Sequence, residues 1–385
     1  MANLANVTLN LPAALVDKLA FLMPERPHGL YPFAVSESQI DDQSRKALEQ
    51  NGITDQKGLL TPDWQQALRV LGDASAMTRF MMLIEGDLLE YQIFFASNTD
   101  NNVSLSRGRD GFILEAPARC NELLEAITDF SGNSLTGLVP VLGEMPVIEA
   151  LCSLGAVDIT RRELLRALAD DSVWQSAGIS SASLCRLLQR KDLNSGWLTW
   201  FLQSLLRQPH EVDQSSVDKA MKNLEQKGWL KGHKDGFIPH GDLMRLATRL
   251  LMINILYKID GVRLTAAEEP VRQTFGIVQN GTRDILFIEA TDTSVFLGGL
   301  TGRALFLLLE KYLTQAEAVS LPPAQATDGL KCASCGKPAE AEAKFCKFCG
   351  VAHQKEEESA RFCEKCGAPR RPGKKFCSKC GGSYS

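Results

Sequence analysis

Apolar positions along the chain fall into two long passages of one plan. The first reads "KALEQNGITDQKGLLTPDWQQALRVL" (46–71) and the second "KNLEQKGWLKGHKDGFIPHGDLMRLATRLL" (222–251). Each begins with a helix-period segment ending in Leu-Glu-Gln-x-Gly, which puts Gly52 and Gly228 where a left-handed residue closes a helix. A turn, a Gly-apolar-apolar step, a proline and a second amphipathic segment follow in both. Alternating segments come next: "TRFMMLIEG", "YQIFFAS" and "VSLSRGRDGFILEA" in the first passage, and "MINILYKID", "TFGIVQ", "DILFIEA" and "SVFLGG" in the second. Turn residues such as "RGRDG" and "QNGTRD" separate them, so they predict antiparallel meanders. Each passage closes on an amphipathic helix, "APARCNELLEAITDF" or "LTGRALFLLLEKYL".

The repetition predicts an α+β body over 1–315. It has two pseudo-symmetric halves of antiparallel meander plus helices, about 36–130 and 212–313, with their sheets adjacent or continuous. A helical insert occupies 140–208. Within it, T-R-R-E from Thr160 to Glu163 reads as a capping box opening "RRELLRALADD". "ISSASLCRLLQR" and "SGWLTWFLQSLLRQ" continue as helices, with Trp174, Trp197, Trp200 and Phe201 as packing residues. Residues 316–331 include Pro322-Pro323 and little hydrophobic period, and they read as a linker.

Beyond the linker the chemistry changes. Of 11 cysteines, only Cys120, Cys152 and Cys185 lie in the body, as expected core thiols. The others form two copies of C-x2-C-x10-C-x2-C: Cys332, Cys335, Cys346 and Cys349 in 332–350, then Cys363, Cys366, Cys377 and Cys380 in 363–381. Two cysteines two residues apart share a tight turn, and two such turns facing each other make a tetrahedron of thiolates. Zn²⁺ has no d-electron geometry preference and fits that tetrahedron. A glycine follows each second cysteine, and Phe345 and Phe376 precede the third ligands. So few apolar residues cannot fold alone, so metal binding must supply the free energy. A redox C-x-x-C and a rubredoxin-like iron site are the competing readings; two structural Zn²⁺ are the expectation. His353 is a possible alternative ligand, but with each Cys₄ set complete it reads as a linker residue.

The two halves, with "KFC" before the third cysteine and "CG" closing each knuckle, closely resemble the double zinc ribbon of many bacterial and archaeal proteins. That resemblance implies an interaction module for protein or nucleic acid. Arg370, Arg371, Lys374 and Lys375, in "PRRPGKK", are its candidate contacts to phosphate or an acidic partner.

Charge separates tail from body. Residues 331–385 carry 12 Lys+Arg against 6 Asp+Glu, whereas 1–330 carry 30 against 40. An acidic body is a poor non-specific ligand for nucleic acid. The N-terminus lacks a positively charged signal region, and no segment approaches the ~18 apolar residues of a membrane span. The expectation is a cytoplasmic protein with reduced thiols.

The order of the body, with "LLTPDWQQALRVLGD" (59–73) continuing through "SLSRGRDGFILEAP" (104–117), resembles the EspG family over roughly 30–315. Members are cytosolic chaperones of type VII secretion. The resemblance implies a non-catalytic partner-binding protein whose partner is helical. Motifs for phosphate loops, dinucleotides, zinc proteases and serine nucleophiles are absent. The five histidines show no ligand spacing, and His240 beside Pro239 and Asp242 reads as a helix start. The leading expectation is therefore a non-enzymatic zinc-binding adaptor or chaperone with protein partners and no small-molecule substrate. The alternative rests on "SSVDKAMKNLEQKGWLKGHKDGFIPHG" (215–241), which resembles a winged-helix element with Lys219, Lys222, Lys227, Lys231, His233 and Lys234. With a zinc ribbon it would make a nucleic-acid-binding regulator.

Overall fold

The computed structural model describes residues 7–23, 30–33, 40–96, 102–265 and 267–316. Strand β1 (Val7–Pro12) and a 3₁₀ segment (Ala13–Leu22) precede α1 (Asp42–Gln50) and α2 (Pro62–Gly72). The first meander is β2 (Ala74–Ile84), β3 (Asp87–Ala96), β4 (Asn102–Arg107) and β5 (Gly111–Ala116), closed by α3 (Cys120–Ser131). Strand β6 (Gly143–Pro146) leads into the insert, α4 (Val147–Ala169), α5 (Ser181–Leu188) and α6 (Leu198–Leu205). The second half comprises α7 (Gln214–Gln226), β7 (Leu230–His233), β8 (Gly236–Pro239), α8 (Gly241–Arg249), β9 (Ile255–Leu264), β10 (Pro270–Asn280), β11 (Asp284–Ala290), β12 (Ser294–Leu300) and α9 (Gly302–Thr314).

The two meanders make one continuous ten-stranded sheet, in the order β1-β5-β4-β3-β2-β9-β10-β11-β12-β6. Every pairing is antiparallel. Reading outward from the β2–β9 pair gives β3, β4, β5 on one side and β10, β11, β12 on the other, the pseudo-two-fold plan. Phe80 faces Ile259 in the middle of the β2–β9 register.

The joints of the repeat use the same bonds twice. Gly52 and Gly228 both take positive φ, 66° and 75°. Gly52 N donates to Glu49 O and Ile53 N to Leu48 O; Gly228 N donates to Glu225 O and Trp229 N to Leu224 O. This is the Schellman closure, which satisfies the last helical carbonyls. The chain then returns to the same place in both halves, with Thr61 N on Ile53 O and His240 N on Trp229 O. Between these points the first half makes one bridge, Thr54 to Leu60, whereas the second extends it into the β7–β8 hairpin.

Three features differ from the sequence reading. Strand β1 pairs with β5 and β6 with β12, so short segments outside both repeats form the sheet edges. The proposed capping box is overridden: α4 runs unbroken from Val147 to Ala169, with Thr160 fully buried in its interior. The apolar run Val147–Val157 has already started the helix, so the N–H groups that a cap would serve are used within it.

Helices α3 and α9 pack on each other and cover one face of the sheet from β3 to β12, over Phe80, Tyr257, Ile259, Phe275 and Phe287. Each such side chain contributes ~1.5–3 kcal/mol by burial. A buried polar knot sits here too. Ser131 Oγ and Tyr257 Oη both donate to Gln279 Oε1, each at 3.0 Å. The opposite face has two covers. The 3₁₀ segment, α1 and α2 pack over Phe94, Leu105 and Leu114. The insert with α7 and α8 packs over Leu256, Val278, Leu286 and Ile288.

Candidate interaction surfaces

The eight tail cysteines, Arg370, Arg371, Lys374 and Lys375 all lie outside the described residues. Among the described residues no three His, Cys, Asp or Glu side chains gather as a metal site. Cys120, Cys152 and Cys185 are buried free thiols. Burial pushes the Cys120 and Cys152 thiols up to about 12, so they sit protonated in the core. His240 is the residue before α8, with Nδ1 3.2 Å from Gly228 O, while Asp242 accepts from Arg245 at 3.0 Å. That is the helix start the sequence indicated. Phe201 is buried, and Trp197 and Trp200 pack against the insert's core, as packing residues should.

The first candidate surface lies where the two covers part. Along β2 every second residue from Ala74 to Met82 is buried, with Ala76, Phe80 and Met82 in the cluster of α3 and α9, while Met77, Arg79, Met81 and Leu83 are only half-buried. Met77 packs with the first cover's cluster and Leu83 with the second; Arg79 and Met81 lie between. Arg79 Nε donates to Glu90 Oε1 at 2.7 Å, and Gln92 Nε2 reaches the same oxygen at 3.3 Å. Partial burial pushes Glu90 up, but these two bonds outweigh it and hold the carboxyl below its ordinary range. Opposite, Thr274 Oγ1 donates to Asp260 at 2.8 Å, and Lys258 Nζ to Ser204 O at 2.8 Å. The central strands thus present a trough with methionines and internally paired charges on its floor.

The second surface is built by the insert and α7. Helices α4, α5 and α7 pack on one another through residues that include Leu184, Val217, Met221 and Leu224. Ile179 exchanges both backbone bonds with Phe237 of β8, N to O at 2.7 and 3.0 Å. That makes a third strand position, in the order Ile179–β8–β7. The close approach requires glycine at 236, where a Cβ would strike the Ile179 carbonyl. Along this part of the chain α4, the Ile179 strand position, α5, α6, α7 and the two-stranded β7–β8 hairpin follow in that order. Lys219 and Lys222 of α7 and Lys231 and Lys234 of the hairpin are exposed. Lys227 is committed elsewhere, 2.6 Å from Glu149 Oε2.

Sequence reasoning missed the buried charges Glu149, Asp158 and Arg161. Asp158, fully buried, accepts from Arg161 Nη1 at 2.8 Å, Leu198 N at 3.0 Å, and Thr199 N and Oγ1 at 2.9 and 3.0 Å. It caps α6 from inside α4. Burial pushes its carboxyl up; the Arg161 charge and the donors at Thr199 and Leu198 pull it back. An aspartate inside an apolar helical run was the only signal in the sequence.

Residues 330–381 match the family model for the double zinc ribbon. This supports zinc binding by the tail. No curated protein matches the chain, and the body's resemblance to the EspG family gains no support from these comparisons. Among the described residues no helix is long and apolar enough to cross a membrane.

Proposed function

We propose that this protein is a non-catalytic, cytoplasmic adaptor or chaperone, in which the body holds one protein partner and a tail with two structural Zn²⁺ recruits another. Eight thiolates in two sets of four would complete two closed tetrahedral shells, which would leave no open position for metal catalysis. The observation that carries the adaptor reading is the half-buried trough at the centre of the sheet, between the two covers of one face. Its floor of Met77 and Met81 between paired charges suits an amphipathic helix with apolar and charged residues on one face. By the EspG resemblance that helix would belong to a secretion substrate. Arg370, Arg371, Lys374 and Lys375 would meet the second partner.

Affinity capture with the full chain, with Met81→Glu and with Cys332→Ser/Cys335→Ser tests this. The trough variant should lose one set of partners and the tail variant a different set. Identical sets from all three, or turnover of a substrate by the purified chain, would refute the reading. A second reading, a winged-helix plus zinc-ribbon nucleic-acid-binding regulator, is favoured by one observation, the Ile179–Phe237 pairing that completes a three-position wing sheet.

A further inference from the structure

Residues 178–239 carry nine Lys+Arg against six Asp+Glu, a local reversal of sign within an acidic body. The excess is spatially arranged. Helix α7 buries Val217, Ala220, Met221 and Leu224, which turns Lys219 and Lys222 outward. The adjoining hairpin holds Lys231 and Lys234 in solvent. The acidic groups on the same elements are Asp218, Glu225 and Asp235. Asp218 accepts from Gln214 Nε2 at 2.9 Å, and Asp235 lies 3.8 Å from Lys234. The pseudo-symmetric first half provides a contrast, because α1 follows Asp41, starts at Asp42 and has no extended hairpin.

Resting on the winged-helix reading, we infer that the face formed by α7 and the β7–β8 hairpin binds double-stranded DNA, with Lys219, Lys222, Lys231 and Lys234 on its phosphates. A 13-residue helix is about 20 Å long and fits a major groove about 12 Å wide. Single strands are bound by stacking on exposed aromatic rings. On this face Trp229 and Phe237 are instead packed against the core, which selects duplex. The contacts are to backbone, so binding is sequence-tolerant and steeply salt-dependent.

The test uses the full chain and fluorescence anisotropy of a labelled 24-base-pair DNA duplex. Four phosphate contacts give a slope of log K on log salt near −3.6, or about a hundredfold loss between 50 and 200 mM salt. Lys219→Glu/Lys222→Glu and Lys231→Glu/Lys234→Glu should each weaken binding at least tenfold, with unchanged thermal melting as the check on folding. Arg45→Glu/Lys46→Glu, at the equivalent helix of the first half, should leave binding unchanged. No duplex binding at 50 mM salt overturns both the regulator reading and this inference. Binding that survives both lysine pairs but is lost in Arg370→Ala/Arg371→Ala keeps the reading and overturns the inference. A single strand bound as tightly as the duplex also overturns it.

Discussion

Removing the Asp158 carboxylate should destabilise the body more than any comparable surface change. Asp158→Ala strands the Arg161 guanidinium, which is 4% exposed and whose Nε already lacks a partner. It also uncaps α6, leaving the Leu198 and Thr199 N–H groups without their acceptor. Breaking a buried pair by deleting one partner costs about 3–5 kcal/mol. With ~2.1 cal/mol/K of unfolding entropy per residue, a body of this size shifts by ~1.5 °C per kcal/mol, so the melting temperature falls by roughly 5–8 °C. Arg161 keeps one bond, from Nη2 to Leu251 O at 3.2 Å, too little to offset a buried charge. Asp158→Leu/Arg161→Met removes both charges and should recover most of the loss, leaving about 1–2 kcal/mol from the missing cap. Urea denaturation of both variants followed by circular dichroism measures this. A single variant within 1 kcal/mol of wild type would refute the reasoning. So would a double variant no more stable than the single one.

Gly52→Ala and Gly228→Ala should each cost ~1–2 kcal/mol, because both positions have positive φ and no atom near an added Cβ, so the penalty is conformational alone; equal urea midpoints would contradict this. Cys152, with its thiol raised to about 12, should resist iodoacetamide at pH 8 in the native protein, where about 10⁻⁴ is thiolate, and react once denatured. Peptide mass spectrometry reads this, and native labelling would contradict the buried assignment. Elemental analysis should find two zinc per chain, falling to one in Cys363→Ser/Cys366→Ser; iron, or no metal, would overturn the tail's assignment.

Repetition was the most legible part of the sequence. Leu-Glu-Gln-x-Gly signals a Schellman closure by local chemistry alone, and it holds at both Gly52 and Gly228. Alternation gave the meanders, because one face of each strand is buried and the register of such strands is strongly specified. Other features were not readable. The T-R-R-E box is a local signal defeated by tertiary context, since α4 is apolar on nearly all sides and continues through Thr160. Strands β1 and β6 are short edge pieces whose partners lie about a hundred or more residues away, and no local pattern names a distant partner. The trough was hidden for a similar reason. Met81 and Lys258 become neighbours only through the β2–β9 register, which joins the two halves.

That central seam makes the two halves mutually dependent. If either half were severed from the other, β2 or β9 would become a bare rim of unpaired amides and carbonyls, ten or eleven residues long and lined with apolar side chains. The partner geometry the rim was shaped for is a strand like itself running the other way. A liberated half would therefore dimerise through that rim or precipitate, and the intact chain behaves as a two-fold dimer tied together by its own backbone.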